Sequence, residues 1–479
     1  MRTSAIFQFW EVGYHFETAL EVACENVEKG GNVKFYTGGR DLQFSEHKQV
    51  VKLSNRFPNQ SPLNRTKTLI YSKYLPTKFE FIDDWIMTNE RAERFAEIAK
   101  LSPEDLLCLT YDKFEIGSST LASLTNILRT DPYLIPYDRL EHQIRTIVSS
   151  GVSVYESAIK EFSESRPDNV IVFNGRFVHD AAVTAAAERL NIPVYFHERG
   201  CDEHRYSLRP FRPHNFELLV AEAQSLWSSE ISEESAKIEV AEKWFDGRIS
   251  TGLGGGWVSY SAHFNRFKDL GLMDELGIQP NQYVLFATTS DDEFAFVHSS
   301  IRRNFGWKDQ FSLVKDLANL LNNDDRKLVV RLHPNLTTKD KRLRMEWERL
   351  AHSLPNSIFV APETDVDSYT LAKYSDSIVS VGSTLGLEAL YMGKKTICCA
   401  QSLYSEINGC VLVNTVRELN EALTIRESSE ICRLSVLKLG YFFATCGNSF
   451  RFFKPSSPFG GTLFGQDIFG ETFCCKPVL

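Results

Sequence analysis

Short apolar runs alternate with helical patterns throughout the second half of the chain, and this alternation restricts the fold more than any other property. Strands are read at 283–287, 327–332, 357–361, 377–381 and 395–399, with helices near 310–322, 340–353, 366–374, 384–392 and 416–423. The first half opens the same way. Residues 4–10 read as a strand, 17–28 place Leu20, Cys24 and Val27 on one helical face, and Asn32 to Tyr36 reads as the next strand. Residues 138–165 read as helix, 168–176 as a buried strand with a polar turn, 179–190 as an Ala-rich helix, and 192–200 as another strand with a polar turn. Strand–helix alternation implies parallel sheets with helices on their faces, an α/β protein.

A chain of 479 residues is too long for a single core. The Gly-rich stretch from Thr251 to Gly256 is the best boundary, giving expected domains at 1–255 and 256–428, then a helix at 429–446 and an irregular tail within 429–479. The Gly run is also a candidate phosphate loop, but it lacks the Lys-Ser/Thr ending and follows no clear strand, so a linker is preferred. Residues 54–135 carry no motif, and no short-period repeat occurs.

A net charge of −9 argues against a broad nucleic-acid surface but leaves room for a local basic pocket. The segment from Met1 to Trp10 lacks the apolar run and cleavage site of a signal peptide, and no stretch of about 18 apolar residues predicts a spanning helix. The ten cysteines show no CxxC spacing, which predicts free thiols in a reducing compartment rather than a zinc or disulfide framework.

Two turns concentrate the chemistry. Lys327 to Arg331 leads into Leu332-His333-Pro334-Asn335, where Pro334 ends the strand and sets the His333 imidazole at the sheet edge beside Arg331. Ser380 to Glu388 reads as strand end, Gly382-Ser383-Thr384 turn and helix start. Helix N-termini favour anions, so Ser383 and Thr384 suit phosphate, and Glu388, one turn deeper on the same face as Thr384, can accept from ribose hydroxyls. Each feature alone has a structural alternative: a satisfied His, an N-cap, a surface Glu. Their conjunction points to a nucleotide.

Acids lie at other strand ends. Asp291 and Asp292 follow Ala287, where a carboxylate can serve as base or nucleophile, bind the acceptor, or cap a helix, and the sequence leaves these open. Glu198 follows a strand, and burial would suit it to take a proton from an acceptor hydroxyl. Asn174, Arg176, His197 and Arg199 share the C-terminal edge where α/β sheets bind ligands, and His15 and Glu17 follow the first strand at that edge. No metal site is expected.

The segments RLHPN (331–335), SDSIVSVGSTLGLEALYMGKKTI (375–397), VIVFNGRFVHDAAVTAAAERLNIPVYFHERG (170–200) and LFATTSDDEF (285–294) resemble bacterial capsule and lipopolysaccharide glycosyltransferases of GT-B fold. The likeness spans roughly 165–450. The Arg-x-His-Pro turn also resembles the CMP-sialic acid and CMP-Kdo transferases and the CDP-glycerol phosphotransferases, which share a cytidine nucleotide donor. The resemblance implies two Rossmann-like domains facing a central cleft, with a C-terminal helix crossing back to the first domain. It implies donor binding by His333, Ser383, Thr384 and Glu388 and catalysis by Glu198, Asp291 or Asp292; the residue reading adds Arg331 and Pro334 to the expected donor site and His15, Asn174 and Arg176 as expected acceptor contacts. It implies no cofactor beyond a nucleotide-sugar co-substrate, CMP-Kdo above others, and an oligosaccharide or lipid-linked glycan as acceptor. It also implies a cytoplasmic enzyme, with the inner face of the membrane or a polysaccharide-assembly complex left open as its place of work. A CDP-alcohol phosphotransferase, a UDP-sugar epimerase and a non-catalytic glycan-assembly protein are the alternatives.

Overall fold

A computed structural model describes residues 2–10, 15–38, 42–44, 78–229, 232–251, 269–290, 296, 298–299, 305–364, 366–425, 432–457 and 460–467. Asp291, Asp292 and the Gly run at 252–256 lie outside the described residues, as does the 54–77 part of the motif-free region. The chain forms two compact units: residues 1–214, 294–301 and 446–479 in one, and 215–293 and 302–445 in the other.

The first unit is built on β1 (Thr3–Gln8), β2 (Asn32–Thr37), β3 (Phe79–Ile82), β4 (Asn169–Phe173), β5 (Val194–Arg199) and β6 (Arg205–Arg209). The sheet order is β13-β6-β5-β4-β1-β2-β3, where β13 is the short Asn448–Ser449 strand. The pairs from β5 to β3 are parallel, and β6 and β13 add antiparallel edges. Alternate residues serve opposite faces. Ala5, Phe7, Val170 and Val172 pack under the helices Ile116–Leu128, Glu141–Glu164 and Val178–Arg189, whereas Ile6, Phe35 and Ile171 pack on the helix His15–Glu28. Helices on both faces explain why these strands read as unbroken apolar runs.

The second unit repeats the plan with β7 (Tyr283–Ala287), β8 (Lys327–Arg331), β9 (Ser357–Val360), β10 (Ser377–Ser380), β11 (Lys395–Cys398) and β12 (Cys410–Leu412). All pairs are parallel in the order β12-β11-β10-β7-β8-β9. Tyr283, Leu285 and Val329 face the helices Asp269–Leu276, Ser368–Tyr374 and Thr384–Tyr391, and the intervening Val284, Phe286, Leu328 and Val330 are also buried. The α/β class with two Rossmann-like units therefore holds.

Three expectations are corrected. The units divide at His214/Asn215 rather than at 255/256, because the helices Phe216–Ser228 and Glu234–Thr251 pack against Arg433–Thr445 through Trp227, Ala241, Leu437 and Tyr441. The helix Arg433–Thr445 accordingly stays with the second unit, and it is the chain from Cys446 onward that returns to the first. The tail is not irregular: Phe453–Ser457, Gly460–Leu463 and Gln466–Asp467 form a small antiparallel sheet. It is held by Glu21, whose buried carboxylate accepts the backbone N–H groups of Arg451 (2.6 Å), Phe452 (3.0 Å) and Phe453 (2.8 Å). Phe453 and Leu463 complete the core around Phe16 and Leu20.

Candidate functional site

In each large sheet the strand order reverses once, between β1 and β4 and between β7 and β10. Ligands of open α/β sheets bind outside the carboxyl ends of the strands at such reversals. The sequence-derived candidates can be placed against these two points, unit by unit.

In the second unit, β7 runs into Thr288, whose hydroxyl accepts the His333 backbone N–H at 2.8 Å. Gln310 clamps the next residue, accepting the Thr289 N–H at 3.0 Å and donating to its carbonyl at 3.1 Å. His333 caps the 3-10 turn Pro334–Thr338, and its Nδ1 accepts the Asn335 N–H at 3.1 Å. A neutral ring with Nδ1 accepting carries its proton on Nε2, so the tautomer that donates is set by the turn. On the other side of β7, Ser380 ends β10. Its Oγ accepts the Gly382 N–H at 3.0 Å and the Ser383 N–H at 3.2 Å. The Tyr404 hydroxyl donates to the Ser383 carbonyl at 2.6 Å and lies 2.9 Å from Ser380 Oγ. Gly382 has φ of 94°, a left-handed conformation that costs an L side chain about 1–2 kcal/mol. Ser383 caps the helix Thr384–Tyr391 with a long 3.4 Å bond to the Leu385 N–H, and Thr384 is exposed. Two of the corner's N–H groups are thus taken by Ser380, and the Ser383 and Thr384 hydroxyls and the helix dipole are what the corner offers an anion.

Two expected donor residues have other partners. Glu388 is 1 % exposed and is ion-paired with Arg248, from the helix Glu234–Thr251. Its carboxylate faces a buried guanidinium, which a ribose role would leave uncompensated. Arg331 is 2 % exposed. Its guanidinium donates to the carbonyls of Ala361 (2.5 Å) and Val366 (3.3 Å) and to Ser368 Oγ (3.2 Å). Burial pulls its pKa down to about 10, against the pull of Asp367 and Glu363. Through these bonds Arg331 braces the loop after β9.

In the first unit, the ends of β1, β4 and β5 meet. Asn174 and Gly175 are successive left-handed residues, φ 52° and 79°. A Cβ on Gly175 would lie 2.4 Å from the Phe196 ring, so glycine is required there. This turn aims Asn174 Nδ2 at Glu198 Oε1, 2.5 Å away. Burial raises the Glu198 pKa, and it prevails over the Asn174 bond, the Arg199 N–H and the charges of Arg199 and Arg176, all of which lower it. A carboxylate so shifted holds a proton more readily than an exposed one, which suits a group that takes and returns protons. His197 is fully buried, and its Nε2 lies 2.9 Å from Gln8 Oε1. Gln8 Nε2 donates to the Trp10 carbonyl, so Gln8 Oε1 is the acceptor and His197 Nε2 the donor. Burial lowers the His197 pKa to about 3. His15 opens the helix His15–Glu28, its ring 4.1 Å from Phe173, and its pKa is pushed well below 6.5 by burial, then by Arg199 and His197. Both imidazoles are therefore neutral. Arg176 lies over the Phe177 ring at 4.9 Å.

The structure thus gathers His15, Asn174, Arg176 and Glu198 at one sheet end and His333, Pro334, Ser383 and Thr384 at another. Gln8, Thr288, Gln310, Ser380, Tyr404 and Arg248 were not singled out from the sequence. Gln8, Thr288 and Ser380 sit at or just after strand ends beside the two reversals, a signal that becomes readable only once strand order is known. Among the described residues, no group of three or more His, Cys, Asp or Glu side chains is placed to hold a metal ion, and no helix is long and apolar enough to cross a membrane. The eight described cysteines are free thiols.

No protein-family model matches the chain, and no curated protein matches its sequence. Among solved structures, it is similar to the UDP-GlcNAc 2-epimerase of Methanocaldococcus jannaschii in complex with UDP-GlcNAc and UDP, at 13% identity over 92% of this chain and 98% of that one, TM-score 0.30. It is also similar to the KpsC beta Kdo 2,7 transferase of Thermosulfurimonas dismutans, at 12% identity over 59% of this chain and 88% of that one, TM-score 0.33. A third is the UDP-GlcNAc 2-epimerase of Neisseria meningitidis bound to UDP-GlcNAc, at 12% identity over 94% and 95%, TM-score 0.24.

Proposed function

We propose that this protein is a glycosyltransferase that moves a sugar from a nucleotide-sugar donor, a CMP-sugar such as CMP-Kdo above others, to a glycan acceptor in bacterial surface polysaccharide synthesis. The observation that carries the proposal is the pair of corners flanking the strand reversal of the second sheet: Thr288 with His333 and Asn335 on one side, Ser380 with Gly382 and Ser383 on the other. In this reading the His333 Nε2–H and the Ser383 and Thr384 hydroxyls meet the donor phosphate and hold the charge that develops as it leaves. Glu198, steadied by Asn174, takes the proton of the acceptor hydroxyl. Cytidine specificity comes from the Arg-x-His-Pro resemblance alone. Asp291 or Asp292 as an alternative base is part of the same proposal.

Calorimetric titration with CMP, CDP, UDP and GDP tests it. A cytidine nucleotide is expected to bind best, and His333→Ala is expected to lose roughly tenfold to a hundredfold, the worth of one hydrogen bond to a charged group. If none of the four binds, or His333→Ala binds like the parent, the proposal fails. The CDP-alcohol phosphotransferase alternative uses the same His-Pro corner, and the mass of the acceptor product separates the two: a gain of phosphate would favour it.

A further inference from the structure

Ser380, Ser383 and Tyr404 close a hydrogen-bonded ring in which each bond has a definite direction. A carbonyl only accepts, so the single Tyr404 hydroxyl proton is the one that meets the Ser383 carbonyl at 2.6 Å. The 2.9 Å bond between Tyr404 Oη and Ser380 Oγ then runs the other way, with Ser380 donating. Ser380 Oγ in turn accepts the Ser383 N–H at 3.2 Å, which completes the ring. The Ser383 backbone is therefore held on both sides, its N–H by Ser380 and its carbonyl by Tyr404. That carbonyl belongs to the peptide joining Ser383 to Thr384, the two residues whose hydroxyls face an anion at this corner. The cap bond of Ser383 to the Leu385 N–H is long, 3.4 Å, so the backbone bonds do more to place the two hydroxyls.

Tyr404 is buried, and burial holds its pKa well above the ordinary tyrosine value, so it stays a protonated donor. The neighbouring helix makes room for it. Gly386 lies inside the helix Thr384–Tyr391, where glycine is a poorer helix former than alanine. A Cβ on Gly386 would lie 2.3 Å from Tyr404 Oη and 2.7 Å from its Cζ, so glycine there answers to the tyrosine rather than to the helix.

We propose that Tyr404 is a positioning residue of the donor site: it holds the peptide between Ser383 and Thr384 and so pre-sets the hydroxyls that meet the donor phosphate, and Gly386 is the clearance that lets it reach. The proposal rests on the phosphate role given above to this corner. Tyr404 itself touches no donor atom. A pre-set corner binds more tightly because less side-chain freedom is lost on binding, which is worth about threefold to tenfold in affinity for one ordered side chain.

Calorimetric titration of the full chain with CMP, CDP, UDP and GDP tests it, using the one that binds the parent best. Tyr404→Phe should weaken that nucleotide by about threefold to tenfold. Gly386→Ala should weaken it too, although alanine favours the helix. Tyr283→Phe is the matched control. Tyr283 is fully buried, and its hydroxyl donates to the Leu371 carbonyl at 2.5 Å from the opposite end of β7, within the same unit. Both Tyr→Phe variants should lower the melting temperature by about 2–12 °C, but only Tyr404→Phe should lose affinity. In a Ser383→Ala/Thr384→Ala background, Tyr404→Phe should cost no further affinity, because it acts through those residues. Parent affinity in Tyr404→Phe or Gly386→Ala, an equal loss in Tyr283→Phe, or an undiminished loss in the background lacking both hydroxyls would overturn the proposal. In each of these outcomes the parent still binds nucleotide, and the positioning role alone falls. If the parent binds none of the four, the transfer reading falls and the positioning role with it.

Discussion

Replacing Arg248 by Met separates a structural from a ligand-binding role for Glu388. Arg248 and Glu388 form a buried pair, and the desolvated guanidinium keeps a raised pKa because Glu388 and Tyr369 outweigh its burial. Removing one partner of a buried pair costs about 3–5 kcal/mol, because the other charge is left uncompensated. For a folding unit of 150–250 residues each kcal/mol shifts the melting temperature by roughly 2–4 °C. Arg248→Met is therefore expected to lower the melting temperature of the second unit by about 6–20 °C. The double variant Arg248→Met/Glu388→Met removes both charges and should recover most of that loss. Scanning calorimetry measures the parent, the two single variants and the double variant, and nucleotide titration below the transition measures their affinities, which should agree within about threefold. A melting temperature unchanged by Arg248→Met, or a double variant as unstable as the sum of two singles, would refute a buried pair. An affinity loss of a hundredfold in Glu388→Met with the fold intact would return Glu388 to the ribose.

Other outcomes follow from the two strand-end clusters and the tail. The raised Glu198 pKa means that any stability from its protonated form is complete below the ordinary carboxylate value and is lost as pH rises through the raised one; kcat/KM should rise over that same interval, and Glu198→Gln should abolish both dependences in a pH series. His197 has the opposite sign: its contribution is complete above its ordinary 6.5 and declines as pH falls toward about 3, so urea midpoints should drop across that window, and no His197 ring titration should appear by NMR between pH 5 and 8. Gly382→Ala should cost about 1–2 kcal/mol of stability and weaken nucleotide binding, because its φ of 94° shapes the corner; equal affinity and equal melting would count against a built phosphate corner. Phe453→Ala should cost about 3–5 kcal/mol by emptying a core position of the first unit, measured by denaturant unfolding.

Strands β1, β2, β4, β5 and β7 to β11 were legible because their signals are local, whereas β3, β6, β12 and the helices Phe216–Ser228 and Glu234–Thr251 were not read. Tyr283–Ala287 is five apolar residues in a row, and Pro334 marks the end of β8. The polar strand ends were legible for the same reason, and His333, Ser383, Asn174 and Glu198 stand where a ligand-facing edge would put them. What failed was whatever depends on partners distant in sequence. Glu388 reads as an available carboxylate until Arg248, 140 residues away, is seen beside it. Arg331 reads as a ligand-facing cation, and its carbonyl partners after β9 are visible only in the fold. The domain boundary was drawn at glycines, but the helices before them bury Trp227 and Phe245 against residues beyond 430, which composition cannot reveal. The Phe-rich tail looked irregular because its strands are short and its anchor, Glu21, is 430 residues away from Arg451.

That anchor bears on how the protein is made. The second unit lies in the middle of the chain, apart from residues 294–301, and all of its residues leave the ribosome before the tail does. The first unit has its sheet centre early, yet its β13 edge and the Phe453 core position arrive only at the end. Vectorial synthesis therefore favours the inner unit as the first to finish, while the outer one waits with an open strand edge and the Glu21 carboxylate without its three backbone donors. A released chain truncated before Cys446 should be protease-resistant in its second half and sensitive in its first, reversing the usual order in which amino-terminal domains mature before later ones.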